Sequence, residues 1–194
     1  MSYASSVLRL ARIPVLVACL GLLLAGCGVN NIPSYDEAAK AKWSDVLNQY
    51  QRRADLIPNL VETVKGYAAH ERGTFDELTK LRASAQSADG GDVQARAQTE
   101  RQITAMIGRV MAVAENYPDL KASANFQSLQ HDLADIEDQI QLARRYYNGA
   151  VRDYNVMIEQ VPSNIIAGTF GFKQAAFFQI EDAADRAVPK VSFS

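Results

Sequence analysis

The residues best placed to do chemistry stand near the start of the chain, where Leu24-Ala25-Gly26 leads into the thiol of Cys27. Small side chains directly before a cysteine, closing an apolar run, form the arrangement of a lipobox. The chemistry implied is acylation: a lipid on the Cys27 thiol, cleavage just before it, and an acyl chain such as palmitate on the new N-terminus. Arg9 and Arg12 precede an uncharged stretch from Ile13 to Ala25, which is the layout of a signal peptide. A run of about 13 residues at 1.5 Å rise reaches roughly 20 Å, short of the roughly 30 Å hydrocarbon core of a bilayer. The alternative is an uncleaved anchor helix from Val7 to Ala25 with both arginines snorkelling. Either leaves a membrane tether, and two or three acyl chains hold firmly where one anchors only marginally.

Other reactive groups are sparse. The two histidines are His70 and His131. A carboxylate-bridged di-iron bundle needs Glu-x-x-His, and the positions three before them are Tyr67 and Ser128. His131 and Asp135 are one helical turn apart and read as a solvated surface pair. There is no Gly-x-Ser-x-Gly elbow and no phosphate-cradling glycine loop. The expected set is therefore no catalytic residue, no metal and no cofactor. The densest polar cluster is Arg52, Arg53, Asp55, Asn59 and Glu62. Its spacing reads mainly as ion pairs and hydrogen bonds between adjacent turns, and secondarily as a surface for an anionic ligand or a partner, with Arg52, Arg53, Asp55 and Asn59 as the partner-binding candidates.

These residues sit on helical patterns. Ser34-Tyr35-Asp36-Glu37 fits a capping box with Ser34 as N-cap. An apolar stripe follows through Trp43, Leu47, Tyr50, Ala54, Ile57, Val61, Val64, Ala68, Phe75 and Leu78. Pro58 predicts a bend, because it lacks an amide hydrogen and crowds the carbonyl of Ala54. Ser87 to Asp92, with paired glycines, marks a turn. A second arm runs from Val93 through Ala97, Ile103, Ile107, Val110, Met111 and Ala114, until Tyr117-Pro118 disfavours helix. The third arm has the clearest period: Phe126, Leu129, Leu133, Ile136, Ile140, Ala143, Tyr147, Ala150, Tyr154, Met157 and Val161. Its spacings alternate between three and four, as in left-handed coiled packing. Arg144, Arg145, Arg152 and Asp153 read as structural, and Asn148 and Asn155 as register-fixing residues. Strand signals are absent. The fold expected is all-α, an elongated antiparallel bundle of three to four long helices.

From Pro162 the character changes. Five of the seven phenylalanines lie at or beyond Phe170, and Ile165 to Phe178 carries Lys173 as its one charge. The leading reading has this segment packing on the end of the bundle, and Phe170, Phe172, Phe177 and Phe178 are at the same time candidates for a partner-binding surface. The 194 residues divide into a signal peptide (1–26), a lipidated N-terminus and tether (27–33) and one helical domain (34–194, irregular from 162). A net charge of −2 from 20 basic and 22 acidic residues argues against nucleic acid, which demands a basic face. Cys19 falls in the signal and Cys27 is the acylation candidate, so no thiol pair remains for a disulfide or zinc.

Several blocks resemble one family. Gln51-Arg52-Arg53-Ala54-Asp55-Leu56-Ile57-Pro58-Asn59-Leu60-Val61-Glu62, then Val64-Lys65-Gly66-Tyr67 and His70-Glu71, is similar to the signature of the LemA family. Glu115-Asn116-Tyr117-Pro118-Asp119-Leu120-Lys121-Ala122, with Phe126 and Leu129-Gln130, resembles its inter-helix loop. Tyr147-Asn148 and Tyr154-Asn155 resemble its last long helix, and Gly171-Phe172 and Pro189-Lys190-Val191-Ser192-Phe193 fit as well. The resemblance implies a membrane-anchored α-helical bundle with no established enzymatic activity. The function expected is a lipid-anchored cell-envelope protein serving as an interaction or scaffold module. It would face the periplasm from the cell membrane or outer membrane, bound to the membrane through Cys27 and to an envelope protein partner. The alternatives are an envelope enzyme or a small-ligand module using a cleft between helices.

Overall fold

The computed structural model describes Pro14 and residues 31–68, 70–88 and 90–179. The expected signal peptide apart from Pro14, Cys27 and the terminal Pro189-Phe193 element lie outside the described residues. From Asn31 onward the elements are α1 (Asn31–Lys65), α2 (Arg72–Ser87), α3 (Val93–Ala114), α4 (Pro118–Lys121), α5 (Ala124–Glu159) and α6 (Ser163–Phe170). No strand occurs among the described residues, and the all-α expectation holds. None of the described helices is long and apolar enough to cross a membrane.

Two boundaries differ from the sequence reading. Ser34 is not the first cap but lies inside α1. Packing overrides the local signal, because Ile32 is fully buried with Tyr154, Ile158 and Ala167, and Pro33 is tolerated in a first turn. The first arm divides into two helices, α1 and α2, at a break beyond Lys65 rather than at Pro58. Gly66, a poor helix former, follows the last residue of α1. The chain then turns so that the amides of Tyr67 and Ala68 both donate to the Val64 carbonyl at 3.0 and 2.9 Å. The apolar stripe survives the break, for Ala68, Phe75 and Leu78 are all buried.

Helix α1 continues through Pro58. The carbonyl that Pro58 cannot bond is that of Ala54, four residues back, and the Arg82 Nε of α2 donates to it at 2.8 Å. A buried orphan acceptor is thereby satisfied from the next helix. Asp92 caps α3 by accepting from the amides of Gln94 and Ala95 at 3.0 and 2.9 Å, as N-cap aspartates do. Just before it, Gly90 accepts from the Trp43 indole. A Cβ at Gly90 would meet Leu47 Cδ1 at 3.0 Å, so the turn is held against α1 where only glycine fits easily. Tyr117 is non-helical, with φ −121° and ψ 89°, before Pro118 opens α4.

The α5 stripe holds from Phe126 to Tyr147, and beyond it Tyr154 is buried as expected. Val151 and Ile158 are buried where Ala150 and Met157 were expected, and Val161 is 79 % exposed beyond the helix end. An α-helix of 3.6 residues per turn outruns a 3.5 repeat in this way.

The described chain divides into two compact units. One comprises the residues up to Ala41 with Gly149–Ala175, the other Lys42–Asn148 with Ala176 onward. The core of the first is Ile32, Tyr154, Ile158 and Ala167, with Met157, Ile166, Phe172 and Ala175 packed against it. That of the second draws on all of α1 to α5, from Ile57, Leu60 and Val64 through Phe75, Leu78, Ile103 and Val110 to Leu120, Phe126 and Leu133.

Candidate functional site

The second unit contains a buried charged cluster centred on Tyr50. Arg53 is 2 % exposed and Glu100 1 %. The Arg53 Nη2 donates to Glu100 Oε2 at 2.6 Å and its Nη1 to Glu137 Oε2 and Thr104 Oγ1, each at 2.7 Å. The other Glu100 oxygen accepts from Arg96 Nη2 at 2.7 Å, and Arg96 also donates to the Ala85 carbonyl in the last turn of α2. Arg144 Nε donates to the Tyr50 hydroxyl at 3.1 Å. The guanidinium groups of Arg53, Arg96 and Arg144 lie 5.7, 5.4 and 5.5 Å from the Tyr50 ring centre, within reach of cation–π attraction. That contact matters because the Nε atoms of Arg53 and Arg96 are buried with no hydrogen-bond acceptor.

The guanidinium groups of Arg53 and Arg96 thus share the carboxylates of Glu100 and Glu137. The remaining positive charge, on Arg144, also rests over the Phe178 ring at 4.5 Å. Burial pushes the Tyr50 hydroxyl above the usual tyrosine range, and neighbouring Arg144 and Arg53 offset only part of that rise. A tyrosine so held stays protonated at neutral pH and is a poor general base. Chemically, the cluster pairs two of its three guanidinium charges with carboxylates, sets the third against aromatic rings, and clamps α1, α3 and α5 together.

A second constellation holds the chain beyond α6. Gly171, at φ 76°, closes α6 in the left-handed conformation, and the Phe172 amide donates back to the Ala167 carbonyl at 2.9 Å, the terminating geometry that favours glycine. From Phe172 to Gln179 the chain is an irregular strap. In the first unit the Tyr154 hydroxyl donates to the Lys173 carbonyl at 2.9 Å. Asn155 brackets Ala175, donating to its carbonyl at 3.0 Å and accepting from its amide at 2.9 Å. In the second unit Tyr147 donates to the Ala176 carbonyl at 2.8 Å, and Asn148 brackets Phe178 at 3.0 and 2.8 Å. Each asparagine offers one donor and one acceptor, as a neighbouring strand would.

The expected partner-binding residues separate. Arg53 and Phe178 are corrected from surface to interior, Arg53 by its ion pairs and Phe178 by the Asn148 bracket and Arg144. Arg52 and Asp55 are exposed and bond along their own helix, Arg52 to Gln49 at 3.2 Å and Asp55 to Gln51 at 2.7 Å, and the expected Arg52–Asp55 and Asp55–Asn59 neighbours are not joined by these bonds. Asn59 and Glu62 line an open polar groove with Asn125, Ser128 and Asp132. Phe172 and Phe177 are half-buried, whereas Phe170 is 69 % exposed. His131 and Asp135 stand 3.2 Å apart with both side chains exposed. No group of three His, Cys, Asp or Glu suited to a metal occurs among the described residues.

The LemA family model matches residues 42–193. The chain belongs to the LemA family. Among curated relatives it is 29 % identical over 180 residues to a magnetosome protein MamQ of Paramagnetospirillum magneticum, covering 80 % of this chain and 66 % of that protein. It is 28 % identical over 173 residues to the magnetosome protein MamQ of Magnetospirillum gryphiswaldense, covering 77 % and 64 %. It is also 28 % identical over 132 residues to protein LemA of Metamycoplasma hominis, covering 68 % and 59 %. The chain thus spans between 59 and 66 % of the length of these relatives.

In this LemA-family chain the matched region contains both constellations. Sequence reasoning did not single out Arg96, Glu100 or the burial of Arg144, yet a signal existed. Arg53 lies three residues after Tyr50 and four before Ile57, Glu100 three after Ala97 and three before Ile103, and Arg144 four after Ile140 and three before Tyr147. Each is a charge in phase with an apolar face, a pattern that calls for a buried partner.

Proposed function

We propose that this LemA-family chain is a non-enzymatic, lipid-anchored cell-envelope protein that serves as an interaction or scaffold module. The observation carrying this reading is the lipobox Leu24-Ala25-Gly26-Cys27 standing before a helical fold whose buried charges are held by carboxylates or aromatic rings of the same fold. The anchor is the acylated Cys27, in the cell membrane or outer membrane, with the helices on the periplasmic side. The partner is an envelope protein, met through exposed Arg52 and Asp55 and the polar groove beside Asn59. Arg53 and Phe178 support that surface from within. Substituting Cys27→Ala tests the anchor: the chain should pass from the membrane fraction to the soluble fraction. Retention in the membrane at unprocessed length overturns acylation in favour of a spanning helix.

A second reading, a small-ligand module, is favoured by a mainly apolar groove between α3 and α5. Ile107, Met111, Leu133 and Ala134 line it, with Arg53 and Glu137 at one side. Gly108 belongs to it, and a Cβ there would meet nothing within 4 Å. If the groove holds a ligand, Gly108→Leu should abolish a thermal shift that a hydrophobic envelope metabolite causes in the parent protein.

A further inference from the structure

The first unit leaves apolar side chains in water although its core is complete. Within Gln160 to Phe172 there is no charged residue, and Val161, Ile165 and Phe170 are 79, 68 and 69 % exposed. The inward side of α6 is already occupied: Ser163 and Ala167 are buried, and Ala167 packs with Ile32, Tyr154 and Ile158. The three outward residues are thus not an unfinished part of that core.

What they face is constrained by covalent geometry. Ile32, in contact with α6 through the Ala167 cluster, lies five residues after Cys27. Five residues span at most about 18 Å when fully extended, and a helix with its side chains is about 10 Å across. A lipid on Cys27 therefore keeps α6 close to the bilayer surface, whatever path the tether takes. Lys173 is exposed directly beyond the uncharged stretch, placed as interfacial segments place a cation to reach headgroups while apolar neighbours enter the acyl boundary.

We propose that Val161, Ile165 and Phe170 form a membrane-contact edge that rests in the interfacial layer of the bilayer to which the chain is tethered. The proposal rests on the tether of the preceding section and adds its orientation: the unit holding α6 lies against the lipid. The edge adds apolar contact to an anchor that the acyl chains on Cys27 already hold, and so fixes how the unit lies on the bilayer.

The test places Phe170→Trp in the full lipidated protein, reconstituted into vesicles of phosphatidylcholine and phosphatidylglycerol, with the parent protein and its single Trp43 as the baseline. Residue 170 is exposed, so unchanged circular dichroism is expected of the variant. The added emission should shift to the blue in vesicles and lose most of its intensity when the lipids are brominated near the top of the acyl chain. Water-like emission without quenching, from a chain that remains in the vesicles, overturns the edge and leaves the tether standing. A blue shift that appears without vesicles and follows self-association assigns the edge to a second copy and overturns the proposal. A chain that leaves the vesicles altogether overturns the tether, and the edge falls with it.

Discussion

Arg53 is a charged side chain that the fold hides, and Phe170 is an apolar side chain that it leaves in solvent. Both invert the ordinary distribution of residue types, but they do so with different consequences. Around Arg53 every charge is answered within the protein by Glu100, Glu137 or an aromatic face, so the cluster is a structural clamp. Around Phe170, Ile165 and Val161 no such completion is present, so the edge is where external contact has most to gain. Hidden polarity that is satisfied reads as architecture, and exposed apolarity beside a complete core reads as function.

The sharpest way to break this contrast is to remove Glu100. Both Arg53 and Arg96 hold its carboxylate, and Glu100→Ala leaves two buried guanidinium groups short of a partner. A loss of about 3–5 kcal/mol in urea unfolding is expected, the usual cost of breaking a buried ion pair on one side. Ile165→Ser, at the exposed edge, should change stability by less than about 0.5 kcal/mol. Comparable losses at the two positions would erase the distinction.

Next in size is the contact that lets α1 pass through Pro58. Arg82→Ala removes the donor to the Ala54 carbonyl and should cost about 1–3 kcal/mol, as for a buried acceptor left unmade. Adding Pro58→Ala restores an amide donor to that carbonyl, so the double variant should recover much of the loss. Equal stability of the single and double variants would mean that the Arg82 bond is incidental.

How far these features could be read beforehand depended on whether a local pattern carried them. The α5 stripe from Phe126 to Tyr147 and the break at Pro118 were legible because heptad spacing and proline act through the immediate chain. Ser34 looked like a cap because its neighbours suit one, and the burial of Ile32 overrode it from residues more than a hundred positions away. Of the polar side chains proposed as a surface cluster, Arg52 and Arg53 differ by one position and hence by about 100° around the helix, which sends one out and the other in. The strap was legible only as an uncharged, phenylalanine-rich stretch. Its partners, two Tyr-Asn pairs, were visible as a repeat but not as a clamp, since extended chain carries no periodic signal of what will bond to it.

A smaller effect is expected from loosening the strap. Asn155→Ala removes both bonds to Ala175, and Asn148→Ala both bonds to Phe178. Each should cost about 1–2 kcal/mol and accelerate amide hydrogen exchange at its own strap residue. Unchanged exchange would show that packing alone holds the strap.

Smallest is a change confined to alkaline pH. Burial raises the Tyr50 hydroxyl above its usual value of about 10 in the folded protein. The unfolded chain then loses this proton first, so stability is fully present below about pH 10 and declines as pH rises toward the folded value. Tyr50→Phe should flatten that decline in unfolding measurements above pH 10. An unaltered alkaline slope would mean that Tyr50 ionises freely in the folded state.

Tethering of the chain in the envelope is best checked by the intact mass of the protein extracted from membranes. The expected species lacks residues 1–26 and carries lipid and acyl additions confined to Cys27. An unmodified chain of full length in the membrane would rule the tether out.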